Sequence, residues 1–199
     1  MISVIIPVYN SEAIIIQTLK GLEKQTRKDF GVIIVDDGST DSSAKLVSEF
    51  KEKSKLSIKL ILQENFGPAK ARNVGVEQSK RDIIIFLDSD CIPPENWIEE
   101  MVRPLNKDIV GCTCGYRVKN KESLIARYVN YEIARRHKRM MSKDITSMGS
   151  YSLSCPRNIF EKAGGFDAEY TTSAAEDFDL AFRIRKIGKL KFTKKTFVY

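Results

Sequence analysis

The sequence is poor in the residues that build zinc and redox centres. Its 199 residues include one histidine and four cysteines. The cysteines, Cys91, Cys112, Cys114 and Cys155, follow neither the spacing of a zinc knuckle nor that of a Cys-x-x-Cys redox motif, and His137 is remote from them. We therefore expect reduced, partly buried thiols and exclude a cysteine-based zinc site.

Long apolar runs are also absent. No stretch approaches the roughly 18 to 20 apolar residues that a membrane-spanning helix needs. The short apolar run after Met1 lacks a basic start and continues as a patterned strand, so we expect no signal peptide there. No Gly-x-Gly-x-x-Gly follows a strand, which disfavours a dinucleotide-binding oxidoreductase. The length and the 42% hydrophobic content predict one domain with a full core.

Three continuous apolar runs, by contrast, each end abruptly in polar residues. The runs cover residues 2–8, 31–35 and 83–87. Such runs, rich in Val and Ile, are typical of parallel strands covered on both faces. Because parallel strands point their carboxyl ends to one edge of the sheet, we expect one crevice at that edge. Its lining should include Tyr9, Asp37, Asp88 and Asp90.

Helical patterns alternate with these strands. The predicted elements are a helix within residues 11–25, a helix capped by Thr40 or Asp41, a strand over 58–62, and helices opened by Pro68 and Pro94. The order β-α-β-α-β-α-β-α implies right-handed crossovers. It predicts a Rossmann-like three-layer α/β/α sandwich with a mostly parallel central sheet.

The pair Asp88 and Asp90 is the strongest single chemical signal. In an extended backbone alternate side chains share a face, so the two carboxylates can converge on one ligand. Two carboxylates held together repel each other, and a bound hard divalent cation usually offsets this repulsion. The alternative is a strand followed by an Asp-rich turn.

Six different motifs follow one another along the chain in a characteristic order. They are Ser3-Val4-Ile5-Ile6-Pro7-Val8-Tyr9-Asn10, Val35-Asp36-Asp37-Gly38-Ser39-Thr40-Asp41, Ala71-Arg72-Asn73-Val74-Gly75, Leu87-Asp88-Ser89-Asp90, Gly164-Gly165-Phe166-Asp167 and Glu176-Asp177-Phe178-Asp179-Leu180. In this order and spacing the set resembles the inverting nucleotide-sugar glycosyltransferases of family two, which have the GT-A fold. The resemblance covers nearly the whole chain.

The resemblance implies metal-dependent transfer of a sugar from a nucleotide diphosphate donor to a hydroxyl or lipid-linked acceptor. Polysaccharide, glycolipid or glycoprotein synthesis would be the setting, and the acceptor a saccharide or a lipid-linked sugar. It also implies a single GT-A catalytic domain over 1–199, with a nucleotide-binding part of about 1–117 and an acceptor-side part of about 118–199. We expect the chain to be truncated at its C-terminus, soon after Asp177.

On the donor side, the resemblance places the nucleotide base on a wall around Pro7 and Tyr9, with Asp37 accepting a hydrogen bond from the base. A uracil offers an imide N–H to such a carboxylate, so Asp37 favours UDP, while Asp36 positions the turn. Asp88 would touch the ribose or support the loop. Asp90 would bind Mn or Mg between the two phosphates, because oxygen ligands and a diphosphate suit hard cations.

The helix opened by Pro68 is a further candidate for nucleotide contact. Its free N–H groups, with Lys70, Arg72 or Asn73, would help to hold the nucleotide. The alternative is a capped surface helix with solvated basic side chains.

On the acceptor side, the resemblance makes Asp177 the base that deprotonates the acceptor hydroxyl. Burial beside Glu176 would raise its proton affinity. Asp167 and Glu176 are weaker candidates for acceptor contact. Asp179 is better explained as a first-turn acid that pairs with Arg183 across one helical turn.

The segment from Ser123 to Lys143 has apolar residues at helical spacing and a dense positive charge. The apolar positions are Leu124, Ile125, Tyr128, Val129 and Ile133, and the basic ones are Arg127, Arg135, Arg136, Lys138, Arg139 and Lys143. This is either a solvated basic helix packed on the sheet or an interfacial helix on anionic lipid. We expect a cytoplasmic protein held at the inner face of the cell membrane by this helix or by a region beyond Tyr199, with no nucleic-acid partner.

Two other function classes remain open at this stage. A nucleotidyltransferase also uses a doubly wound sheet and metal-binding acids, but it carries a Gly-rich phosphate loop where this chain has Pro7-Val8-Tyr9-Asn10. A non-catalytic nucleotide-sugar-binding module would have lost Asp90 or Asp177, and both are present.

Overall fold

The structure is a computed structural model that describes residues 1–118, 122–140, 145, 148–169 and 175–199. The strands are β1 (Ile2–Val8), β2 (Phe30–Asp37), β3 (Ile58–Gln63), β4 (Ile83–Leu87), β5 (Ile109–Tyr116), β6 (Ser152–Pro156) and β7 (Lys189–Val198). The helices are α1 (Ile15–Glu23), α2 (Ser43–Lys53), α3 (Pro68–Glu77), α4 (Trp97–Val102), α5 (Leu124–Met140), α6 (Arg157–Lys162) and α7 (Glu176–Arg185).

The sheet is mostly parallel. Its strand order is β3-β2-β1-β4-β6-β5-β7. Strand β1 runs parallel to β2 and β4, β2 parallel to β3, and β5 parallel to β7, whereas β6 is antiparallel to both of its neighbours. The carboxyl ends of β1, β2 and β4 therefore meet at one edge, as predicted.

Helices cover both faces of this sheet. Alternate residues of the central strands enter two separate cores, so β1 and β2 are buried along their whole length. One core joins Ile5 and Phe86 to α3, α6 and α7, and the other joins Ile6 and Ile85 to α1, α2 and α4. The predicted three-layer sandwich and the alternation of strands and helices are confirmed.

One predicted helix start needs correction. Helix α1 lies within the predicted range 11–25, but α4 begins at Trp97, three residues after Pro94, whose carbonyl accepts the Trp97 N–H. In α7 the Phe182 side chain is 57% exposed. Leu180 and Ile184 are buried because they lie four residues apart on one side of the helix.

Helix α5 forms where the helical spacing predicts it, but its apolar side chains divide between two faces. Ile133 is buried, whereas Leu124, Ile125 and Tyr128 are 77%, 78% and 66% exposed. Lys143 and Met141 lie outside the described residues, as do the side chains of Val129 and residues 136–140. Within the described part of the chain, no helix combines the length and hydrophobicity that a membrane crossing requires.

The cysteines are unpaired, as expected. Cys112, Cys114 and Cys155 are buried and Cys91 is partly buried. Burial raises the pKa of Cys112, Cys114 and Cys155 to about 12. They are protonated, inert core residues at neutral pH.

Candidate active site

A crevice of about 630 Å³ opens at the carboxyl ends of β1, β2 and β4. Its lining brings together six of the residues predicted from the sequence, namely Pro7, Tyr9, Asp37, Arg72, Asp88 and Asp90. Tyr9 is 51% exposed, so its ring is available to a ligand in the crevice. The predicted convergence of these strand ends on one site is confirmed.

Asp37 organises one wall of the crevice. Its Oδ1 accepts hydrogen bonds from Gln63 Nε2 at 2.7 Å and from the Phe66 N–H at 3.0 Å, and its Oδ2 accepts the Gly67 N–H at 2.9 Å. The side chain is buried. These three bonds fix the loop before Pro68 and occupy most of the acceptor capacity of a carboxylate, a role that local sequence patterns do not reveal.

Asp36 points away from Asp37, because neighbouring residues of a strand face opposite sides. Its Oδ1 accepts the Ser39 N–H at 2.8 Å, which confirms that Asp36 positions the turn after β2. Its Oδ2 is buried and has no hydrogen-bond partner among the described residues.

Asp88 and Asp90 both line the crevice, but not because the backbone is extended. Strand β4 ends at Leu87, and the Cys91 N–H donates to the Asp88 carbonyl at 3.1 Å to close a turn. The turn was the alternative interpretation of this segment. It still leaves both carboxylates at the same crevice.

The Asp88 and Asp90 carboxylates supply the hard oxygen ligands that Mg and Mn prefer. Asp90 is exposed and forms no salt bridge with any described Lys or Arg. Across the described residues, no group of three or more His, Cys, Asp or Glu side chains is arranged to hold a metal ion alone. The two carboxylates would therefore hold a divalent ion only together with ligands from outside the protein.

Asp177 lies in the first turn of α7. Its Oδ2 accepts the Ser150 N–H at 3.0 Å, while its buried Oδ1 has no hydrogen-bond partner among the described residues. Burial raises the pKa of Asp177, against the opposing effects of Ser150 and of the positive charge of Arg72. A carboxylate with raised proton affinity and a free oxygen is suited to accept a proton.

Arg72 connects Asp88 to the start of α7. Its Nη2 donates to Asp88 Oδ1 at 2.8 Å, and its Nη1 donates to Glu176 Oε1 at 3.4 Å. The Arg72 and Glu176 side chains are each only 3% exposed. Sequence reasoning missed this link, because nothing in the local pattern of either motif points to the other.

Asn73 does not line the crevice. Its Nδ2 donates to the Phe166 carbonyl at 2.7 Å and its Oδ1 accepts the Phe166 N–H at 2.9 Å, so the amide joins α3 to the loop after α6. In that loop Gly164 and Gly165 have φ of 86° and 70°, a backbone conformation that glycine adopts readily and that ends α6.

Two other predicted side chains near this loop are also held by the protein. Asp167 is exposed, and its Oδ1 accepts the Glu169 N–H at 2.9 Å. The predicted pairing of Arg183 with Asp179 is confirmed, with Arg183 Nε donating to Asp179 Oδ2 at 3.0 Å. Arg183 also donates to the Ala163 and Gly165 carbonyls, which fixes α7 against the loop.

Solved structures with this architecture include two glycosyltransferases. The mannosyltransferase PcManGT of Pyrobaculum calidifontis, in complex with GDP-Man and Mn²⁺, superposes with a TM-score of 0.82 at 21% identity, covering 99% of this chain and 55% of that one. S. aureus TarS 1–349, in complex with UDP-GlcNAc, gives a TM-score of 0.76 at 22% identity, over 100% and 57% of the two chains. The predicted GT-A fold is confirmed.

The sequence comparisons agree with the fold. Validoxylamine A glucosyltransferase of Streptomyces hygroscopicus subsp. limoneus is 28% identical over an alignment of 221 positions, which spans 94% of this chain and 48% of the relative. The chain spans about half the length of the curated relatives it matches first. The family described as Glycosyl transferase family 2 matches residues 3–163, which argues against a nucleotidyltransferase. Fold, crevice and sequence together place this chain in glycosyltransferase family 2, a family of sugar-transferring enzymes.

Proposed function

We propose that this chain transfers a sugar, with inversion, from a nucleotide diphosphate donor in the crevice to an acceptor hydroxyl beside Asp177. The observation that carries the proposal is the buried, unpartnered Oδ1 of Asp177, linked through Glu176 and Arg72 to Asp88 at the crevice. The proton acceptor thus follows Glu176, whose partner Arg72 lines the crevice together with Asp88 and Asp90.

The donor half of the proposal depends on the crevice lining. The exposed Tyr9 ring and Pro7 provide an apolar wall for the nucleotide base. Asp37 favours a uracil through its remaining acceptor capacity, and Asp88 serves the ribose or the turn. We therefore favour a UDP-sugar as the donor.

Asp90, with Asp88 beside it, would hold a Mn or Mg ion against the donor diphosphate. When bound, the ion supplies Lewis-acid stabilisation of the negative charge on the leaving diphosphate. Asp90 is suited to this task because it is exposed in the crevice and free of any salt bridge among the described residues.

The chemical step would be one in-line displacement. Asp177 takes the proton of the acceptor hydroxyl as the new bond from that oxygen to the anomeric carbon forms. The bond from the anomeric carbon to the diphosphate oxygen breaks, and the nucleoside diphosphate leaves with the electron pair. Attack opposite the leaving group inverts the anomeric centre.

The acceptor would be a saccharide or a lipid-linked sugar. Asp167 is exposed and remains an acceptor candidate. Glu176 is engaged by Arg72, so it would act on the acceptor through the placement of its neighbour Asp177.

The exposed face of α5 favours action at an anionic membrane surface. Leu124, Tyr128 and Tyr131 follow one another at helical spacing and are all at least 65% exposed, with the exposed Arg127 and Arg135 on the same side. An outward apolar stripe with basic neighbours suits the boundary of anionic lipids. This would place a cytoplasmic enzyme at the inner face of the membrane.

The direct test is release of nucleoside diphosphate from a panel of UDP-, GDP- and dTDP-sugars, with Mn, Mg or a chelator, in the presence of candidate acceptors. We expect release from at least one donor, greatest for a UDP-sugar, and its loss with the chelator. Absence of release from every donor, with the protein folded, would refute the proposal.

A further inference from the structure

Arg72 lies between the donor and acceptor halves of the proposed site. It is buried in the second turn of α3, and it contacts Asp88 and Glu176, which lie 16 and 104 residues away in sequence. Asp88 follows the end of β4, and Glu176 opens the helix that carries Asp177. One guanidinium thus joins the edge of the donor crevice to the base-bearing helix.

The two partners of Arg72 differ in their access to the crevice. Asp88 is 32% exposed, whereas Glu176 is 3% exposed. A ligand in the crevice can therefore reach Asp88 but not Glu176. A buried cation depends on such partners, because nearby carboxylates compensate the charge that burial removes from water.

Contacts that do not involve Arg72 also hold these elements together. Asn73 binds both backbone groups of Phe166. Arg183 fixes α7 to the same loop through the Ala163 and Gly165 carbonyls. These contacts fasten α3 and α7 to the loop independently of Arg72, which makes Arg183 a useful comparison for Arg72.

The charge of Arg72 acts on the base itself. Burial raises the pKa of Asp177 most, and Glu176 adds to that effect, while the Ser150 N–H and the Arg72 charge oppose it. Tyr151, which follows Ser150, also faces Asp177. Arg72 thus balances the carboxylates that meet at the start of α7.

We propose that Arg72 is a positioning residue for sugar transfer: anchored on Asp88 at the crevice, it fixes Glu176 and thereby the first turn of α7 that presents Asp177. This inference depends on the proposed function. It replaces the role that the sequence suggested for Arg72, that of a nucleotide ligand.

The test compares three variants with the wild type. Arg72→Met removes the link, and Arg72→Met/Glu176→Gln also removes the buried negative charge that Arg72 faces in the wild type, which limits the loss of stability. Arg183→Met is the matched control, since it weakens the docking of α7 and leaves the contacts among Arg72, Asp88 and Glu176 intact. The measurements are kcat, UDP affinity with Mn²⁺ by calorimetry, the unfolding temperature, and hydrogen exchange of residues 176–180.

For Arg72→Met we expect kcat to fall about tenfold or more and UDP affinity to change by less than about threefold, because the lost contact serves the transition state. Hydrogen exchange in residues 176–180 should become faster. The double variant should regain unfolding temperature but not kcat. Arg183→Met should lower the unfolding temperature and keep kcat within about threefold of the wild type.

Three results would overturn the inference. A tenfold loss of UDP affinity, equivalent to about 1.4 kcal/mol of binding free energy, with kcat preserved would identify Arg72 as a nucleotide ligand. If kcat follows the unfolding temperature across all three variants, the role is only structural. Unchanged exchange in residues 176–180 would show that Arg72 does not position α7. A wild type that releases no nucleotide refutes the proposed function instead, and the exchange comparison still decides the role of Arg72.

Discussion

At the scale of single residues, Asp177 allows binding to be separated from chemistry. Asp177→Asn should lower the transfer rate by about a hundredfold to ten-thousandfold, because a positioned base acts mainly in the transition state. UDP affinity should stay within about threefold of the wild type. Rate measurements with the true acceptor and calorimetry with UDP check both values. Near-normal turnover would place the base elsewhere or indicate an acceptor that is already ionised.

The same carboxylate predicts a dependence on pH. Burial raises the pKa of Asp177 above its ordinary value of 3.8, so the folded protein binds this proton more tightly than the unfolded chain. The Asp177 contribution to stability is therefore present at low pH and is lost as the pH rises through the folded pKa. At pH 7 Asp177→Asn should unfold at the same temperature as the wild type or higher, and a clear decrease would contradict this. On the acid side of the pH profile, the apparent pKa of kcat should lie above 3.8.

The variant Asp90→Asn tests whether Asp90 is a metal ligand. Asp90→Asn should weaken Mn²⁺-dependent UDP binding about tenfold or more while the fold survives, because one anionic ligand is lost. Asp82→Asn is the control, since Asp82 precedes β4 at the opposite edge of the sheet and pairs there with the N-terminal amine. If calorimetry gives Asp90→Asn the same affinity and the same Mn²⁺ dependence as the wild type, Asp90 is not a metal ligand.

At the scale of elements, α5 makes the membrane proposal testable. The domain should co-sediment with anionic vesicles but not with neutral ones. Neutralising the basic residues of α5 should abolish binding to anionic vesicles, because each basic residue contributes about 1 kcal/mol to the binding free energy. Added salt should weaken the binding. The cluster variant changes Arg135, Arg136, Lys138 and Arg139 to Gln. The matched control changes Lys45, Lys51, Lys53 and Lys55, in and after α2. Equal sedimentation of the wild type and the cluster variant would refute the membrane role.

The elements also show which features of the fold and the site could be predicted from the sequence. The apolar runs of β1, β2 and β4 sufficed to predict the sheet and its functional edge, because side-chain burial follows directly from such patterns. The link from Arg72 to Glu176 could not be predicted, since it joins residues 104 positions apart and depends on the final packing of α3 against α7. The turn at Asp88 was only the alternative prediction, because Asp and Ser suit both a strand end and a turn.

At the scale of the whole molecule, donor binding should stabilise the entire fold. A ligand at about a hundred times its dissociation constant adds roughly 2.7 kcal/mol to the free energy of unfolding. For a domain of this length the unfolding temperature should then rise by about 5 to 10 °C. A thermal-shift panel of UDP-, GDP- and dTDP-sugars, with and without Mn or Mg, would rank the donors. No shift with any UDP-sugar and metal would contradict the preference for UDP.

The antiparallel strand β6 affects how the chain can reach its fold during synthesis. It lies between β4 and β5, although it follows both in sequence. One edge of β4 therefore stays unpaired until β6 has been synthesised. Synthesis of the intervening residues 88–151 takes roughly 3 to 13 s at typical rates. Open edges of this kind pair readily with other chains. A fragment ending near Tyr116 should aggregate, and the nascent chain should depend on chaperone protection until Pro156 has left the ribosome.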